Sequence, residues 1–168
     1  MSAAPESAVV ETDSPEATEA LGEALARLLP PGAVAALHGN LAAGKTCLVR
    51  GAARCFGAEH AVHSPTFTLV NAYGAGPVLH HLDLYRLGAA EEALDLGIEE
   101  LLDMPEGCCM IEWAERAEAL LPAQRVDVLL EHLGGGRRRI TVSDRGVLPS
   151  GWAARLQAVM DGPRTENA

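Results

Sequence analysis

The sequence predicts an α/β fold in three layers: a mostly parallel central sheet, helices on both of its faces and an antiparallel hairpin at its edge. Three observations predict it. Strand-length apolar runs alternate with stretches whose apolar residues recur every three or four positions. The run Ala33 to His38 passes through a glycine-rich turn straight into a helical pattern, the order of a strand–loop–helix unit. Two extended stretches, Arg125 to Leu133 and Arg137 to Val142, flank Gly134-Gly135-Gly136 as the arms of a hairpin.

Each element has a local reason. Ala8 to Glu11 reads as a short strand, and Asp13-Ser14-Pro15-Glu16 then supplies a capping side chain, a first-turn proline and an early acid to start a helix. That helix runs to about Leu29, with Ala17, Ala20, Leu21, Ala24, Leu25 and Leu28 on one face, until Pro30-Pro31-Gly32 breaks it. Ala33 to His38 is apolar up to its last residue, which suits a strand covered on both faces. Gly39 to Thr46 is the turn after it, and Leu48, Val49, Ala52, Ala53 and Phe56 carry helical spacing up to Gly57. Beyond a loop at Ala58 to Pro65, Phe67 to Tyr73 and Val78 to Leu84 are extended stretches around Gly74-Ala75-Gly76-Pro77, a second hairpin candidate. An acidic helical stretch follows (Ala89 to Leu96, then Ile98 to Leu102), and Cys108 to Trp113 is another buried strand. Trp152 to Met160 forms a last helix. One domain is expected over residues 1–160, with a polar, disordered tail over 161–168.

Composition excludes several function classes. Thirteen Lys and Arg against 23 Asp and Glu give a net charge of −10, which repels phosphate backbones, so any work on RNA needs a partner to hold it. Met1 to Thr12 carries neither a cationic start nor a signal-like apolar run, and no later stretch is long enough to span a bilayer; a cytoplasmic protein without membrane attachment is expected. Cys47, Cys55, Cys108 and Cys109 form no C-x-x-C pair and are expected to be buried, reduced thiols, with the last two on opposite faces of a strand. His80 and His81 likewise face opposite sides and lack a third ligand at metal spacing.

The chemistry centres on the only lysine. Gly39-Asn40-Leu41-Ala42-Ala43-Gly44-Lys45-Thr46 matches G-x-x-x-x-G-K-[ST], the phosphate-binding P-loop. Backbone N–H groups from Leu41 to Cys47 turn inward, the helix beginning near Lys45 points its positive end at phosphate, Lys45 meets the outer phosphates, and the Thr46 hydroxyl is placed for Mg²⁺. Such a loop needs an acid at the end of a neighbouring buried strand, and Asp83 and Glu112 both qualify; one can hold Mg²⁺ while the other orients or deprotonates water. Thr66, in His63-Ser64-Pro65-Thr66, lies where nucleotide switches often sit. Arg137, Arg138 and Arg139 leave two readings open, solvated hairpin charge or a nucleotide or partner contact. With the loop in place the fold expectation sharpens to a P-loop NTPase-like three-layer sandwich. No N-K-x-D segment is present to read guanine, so ATP is the expected nucleotide.

HGNLAAGKT, SPTFTLVNAY, HLDLYRL, LGIEELL and MIEWAE, in this order over about Val9 to Val142, resemble the TsaE (YjeE) family of bacterial P-loop ATPases. The resemblance implies ATP hydrolysis with Mg²⁺ in support of threonylcarbamoyladenosine synthesis beside the tRNA anticodon. It also implies action with TsaD and TsaB, which hold the tRNA and transfer the group. By position it implies a phosphate lysine at Lys45, a metal threonine at Thr46, acids at Asp83 and Glu112, a switch threonine at Thr66 and a tryptophan at Trp113. Ser14 and Arg137 match regions near the nucleotide. Asn40, Ala42, Cys47 and Ala114 depart from the residues usual in the family, and Ala42 places a Cβ where the loop needs positive φ. Two other roles fit the loop: a nucleotide-sensing subunit with little hydrolysis, and a small P-loop kinase.

Overall fold

A computed structural model describes residues 5–62 and 70–162. In chain order the elements are β1 (Glu6–Thr12), α1 (Pro15–Leu28), β2 (Ala33–His38), α2 (Lys45–Ala53), β3 (Val70–Tyr73), β4 (Leu79–Asp83), α3 (Ala90–Asp95), α4 (Ile98–Leu102), β5 (Cys108–Glu112), β6 (Val126–Gly134), β7 (Arg137–Asp144) and α5 (Trp152–Asp161). Among the described residues seven strands form one sheet in the order β1-β7-β6-β2-β5-β4-β3. The four central strands, β6, β2, β5 and β4, are parallel; β7 and β1 on one side and β3 on the other run antiparallel to their neighbours. The mixed α/β class and both hairpins are as expected from the sequence.

Period-two alternation splits the central strands between two cores. Ala35 and Leu37 of β2, with Cys108 and Met110 of β5, pack under α1, α2 and α5; Val34, Ala36, Cys109 and Ile111 pack under α3, α4 and the 3-10 turns at Ala114–Leu120. The adjacent cysteines therefore belong to different cores, and burial pushes the Cys108 thiol up to about 12. The expectation of four buried thiols is corrected at two: Cys47 is half-buried and Cys55 exposed, because both lie on the outer turns of the α2 region. The second helical layer covers only β2, β4 and β5, so Val9 of β1 and Leu129 of β6 are exposed on the uncovered part of the sheet.

Four contacts fix the layer that carries the glycine-rich loop. Ser14 caps α1, its Oγ accepting the Ala17 N–H at 3.1 Å, and the Thr18 hydroxyl joins Thr12 Oγ1 at 2.8 Å inside the core. Gly22 of α1 and Gly51 of α2 let the helices meet backbone to backbone: a Cβ on Gly51 would fall on the Glu19 carbonyl, and one on Gly22 on that of Leu48. No helix among the described residues is long and apolar enough to cross a membrane.

Candidate active site

The loop 39–46 leaves the C-terminal end of β2 and closes on α2, whose first residue is Lys45. Gly44, the residue before it, has φ +107°, and a Cβ there would lie 2.7 Å from Arg138 Nε. Arg138 reaches over from β7 and donates from Nε to the Ala43 carbonyl at 2.9 Å, bracing the loop from the hairpin side. Ala42 adopts φ +62°, the left-handed conformation that an L side chain resists. Lys45 Nζ donates to the carbonyls of Gly39 (2.5 Å) and Asn40 (2.9 Å) and rests 4.1 Å above the Trp113 ring. Burial lowers the Lys45 pKa, and the charges of Glu112, Glu115 and Asp83 work against that.

Strand order ranks the two acids. β5 lies directly beside β2, with Leu37 opposite Glu112, whereas Asp83 ends β4, one strand further out and in register with Glu112. Glu112, 3% exposed, accepts the Thr46 hydroxyl on Oε1 at 2.8 Å. His81 Nε2 lies 3.2 Å from the same oxygen. Asp83, 8% exposed, accepts the Tyr85 N–H at 3.0 Å. Burial raises the Asp83 pKa and the Glu112 carboxyl adds to it, while the Tyr85 N–H and His81 act in the opposite sense.

These groups face a cleft of about 570 Å³. It brings together Leu41, Ala42, Ala43, Gly44, Lys45, Thr46, Cys47, Asp83 and Glu112 with Tyr85, Arg86, Trp113 and Arg138. Ser14 stands just outside, but its neighbour Pro15 accepts a hydrogen bond from Cys47 Sγ at 3.2 Å, so the start of α1 abuts the loop. Arg137 points the other way, to Glu11 at 3.1 Å, as does Arg139. Strand alternation accounts for this: with 137 and 139 on one face of β7, only Arg138 turns to the loop. That signal was present in the sequence once the hairpin register was known. Thr66 lies outside the described residues.

The family model for "Threonylcarbamoyl adenosine biosynthesis protein TsaE" matches residues 12–140, from the end of β1 through most of the β6–β7 hairpin. The chain belongs to the TsaE family. Relatives include the tRNA threonylcarbamoyladenosine biosynthesis protein TsaE of Treponema pallidum, 42% identical over 130 residues, which covers 77% of this chain and 96% of that protein. The Bacillus subtilis protein of the same name is 38% identical over 136 residues, 80% of this chain and 84% of the relative. Among solved structures, the crystal structure of Bacillus subtilis YdiB superposes with a TM-score of 0.71 at 28% identity, covering 95% of this chain and 98% of the other. The TsaE match spans both the loop and the two acids, so the cleft lies wholly inside the family's shared region.

Proposed function

We propose that this TsaE-family chain is a cytoplasmic, Mg²⁺-dependent ATPase subunit that supports threonylcarbamoyladenosine formation on tRNA, working with TsaD and TsaB and meeting tRNA only through them. One observation carries the reading: the Thr46 hydroxyl and the buried Glu112 carboxylate are 2.8 Å apart at the mouth of the loop, with Lys45 at its centre. The donor set suits Mg²⁺ with a triphosphate. Mg²⁺ takes oxygen ligands, keeps several waters and binds through one or two carboxylates plus phosphate. Among the described residues no group of three or more His, Cys, Asp or Glu forms a metal cage, and Mg²⁺ bound with nucleotide needs none. When bound, Mg²⁺ neutralises charge developing on the transferred phosphoryl group.

The chain's own residues do the rest. Inward N–H groups and Lys45 bind and orient the phosphates, Thr46 and Glu112 hold the metal side, and Asp83 orients water beside them. Lys45 leaves the Gly39 and Asn40 carbonyls to reach phosphate. Net charge of −10 supports the division of labour in which partners grip the tRNA.

Phosphate release from ATP tests this, measured with and without Mg²⁺, TsaD and TsaB, on wild type, Lys45→Ala and Glu112→Ala. Partner-stimulated release abolished by both substitutions is the expected result. A nucleotide-sensing subunit is the second reading, favoured by Ala42 at φ +62° and by the engagement of Lys45 with its own loop. Measurable ATP binding with no release under any condition selects it.

A further inference from the structure

His81 ties the carboxylate at the centre of the cleft to the far edge of the sheet. It is fully buried on β4, two residues before Asp83 and on the same face. Both ring nitrogens are engaged: Nε2 lies 3.2 Å from Glu112 Oε1, and Nδ1 3.3 Å from the Tyr73 hydroxyl on β3. Glu112 Oε1 also accepts the Thr46 hydroxyl, so one carboxylate oxygen is held by donors from two elements.

The direction of this chain follows from the donor inventory. An ionised carboxylate only accepts, so the imidazole N–H sits on Nε2; a neutral ring then has Nδ1 as acceptor, and the Tyr73 O–H must donate to it. Donors and acceptors then match along the chain, which runs Tyr73 to His81 to Glu112 and is met from the other side by Thr46. Remove the His81 donor, and Glu112 keeps Thr46 and its contact with the neighbouring Asp83 carboxyl but loses the partner that holds Oε1 from the sheet side.

We propose that His81 is a positioning residue: its Nε2–H fixes the Glu112 carboxylate toward Thr46 and the cleft, and Tyr73 fixes the tautomer that makes this possible. The inference rests on the ATPase reading. It separates turnover from binding, because the loop and Lys45 hold the nucleotide while Glu112 acts where the reaction occurs.

The test is steady-state ATP hydrolysis by the full chain with TsaD, TsaB and Mg²⁺, comparing wild type, His81→Leu, His81→Gln and Tyr73→Phe, with thermal melts alongside. Leu fills the site without a donor, and the Gln side-chain amide supplies one near the Nε2 position. Expected is a fall in kcat of about 10–100-fold in His81→Leu with the KM for ATP within about twofold, recovery to within about threefold in His81→Gln, and an intermediate kcat in Tyr73→Phe. Wild-type kcat in His81→Leu overturns the proposal, and so do equal losses in the Leu and Gln variants, the mark of a purely structural side chain. Should His81→Leu not fold, Tyr73→Phe decides, since it deletes one oxygen; wild-type kcat there overturns the proposal. A wild-type chain that releases no phosphate overturns the ATPase reading instead, an outcome distinct from turnover that ignores all three substitutions.

Discussion

Ala42→Gly and Gly44→Ala move one methyl group within the same loop and are expected to shift stability in opposite directions. Ala42 holds φ +62°, where an L side chain costs about 1–2 kcal/mol. Glycine removes that term and gives back about 0.4–1 kcal/mol through a freer unfolded chain, leaving a net gain of about 0.5 kcal/mol. For a chain of this length that is a rise in Tm of roughly 1–2 °C. Gly44 is the reverse case: its φ of +107° lies outside the left-handed well, and a Cβ would sit 2.7 Å from Arg138 Nε. Arg138 must then give up its bond to the Ala43 carbonyl, about 1 kcal/mol, on top of the backbone cost. The sum is a loss of about 2–3 kcal/mol, or roughly 5–10 °C. Urea titration followed by circular dichroism measures both. Destabilisation of more than about 1 kcal/mol by Ala42→Gly, or a Gly44→Ala variant as stable as wild type, would refute the loop conformation on which these signs depend.

Other expectations concern charge and spectroscopy. Because burial raises the Asp83 pKa above its unfolded value, folding binds a proton more tightly there, and the site's contribution to stability falls as pH rises from about 4 through the folded-state value. Asp83→Asn is therefore expected to be about 1 kcal/mol more stable than wild type at pH 7, with the advantage vanishing near pH 4 and with ATP turnover lost; melts across that range check it. Arg125, 4% exposed and paired with Asp127 at 2.9 Å and Glu118 at 2.6 Å, lies outside the cleft, so Arg125→Ala is expected to cost about 3 kcal/mol and leave nucleotide affinity alone, as melts and binding titrations will show. Trp113 senses Lys45 at 4.1 Å, while the other tryptophan, Trp152, is buried under α1; ATP is expected to change tryptophan emission in wild type and not in Trp113→Phe.

The linear part of the site was legible because its chemistry is local: loop, lysine and threonine are contiguous, and β2 announces itself by burying both faces. The acids were legible as strand ends, but their ranking was not. β4 precedes β5 in the chain, and only the sheet order places β5, hence Glu112, against the loop strand. Arg137 against Arg138 was a question of hairpin register, and the His81–Glu112 contact crosses strands 31 residues apart. The turns at Ala114–Leu120 escaped notice because they begin at Trp113 with φ +57°, a backbone start that no capping residue marks. Burial of Cys47 and Cys55 failed as an expectation because residue type reports average environment, whereas these two lie on turns that the cores do not cover.

The glycine contact between α1 and α2 has a mechanical meaning. At Gly22 and Gly51 the two helices meet backbone to backbone, and Glu19 of α1 adds ion pairs to Arg50 and Arg54, so they are joined by close contact and by charge. α1 is 14 residues long, a rod of about 21 Å, and one end of it touches Cys47 next to the phosphate loop. Its other end leads into the turn before β2. Helix and phosphate loop are joined by direct contact, so each has the other as its first mechanical neighbour.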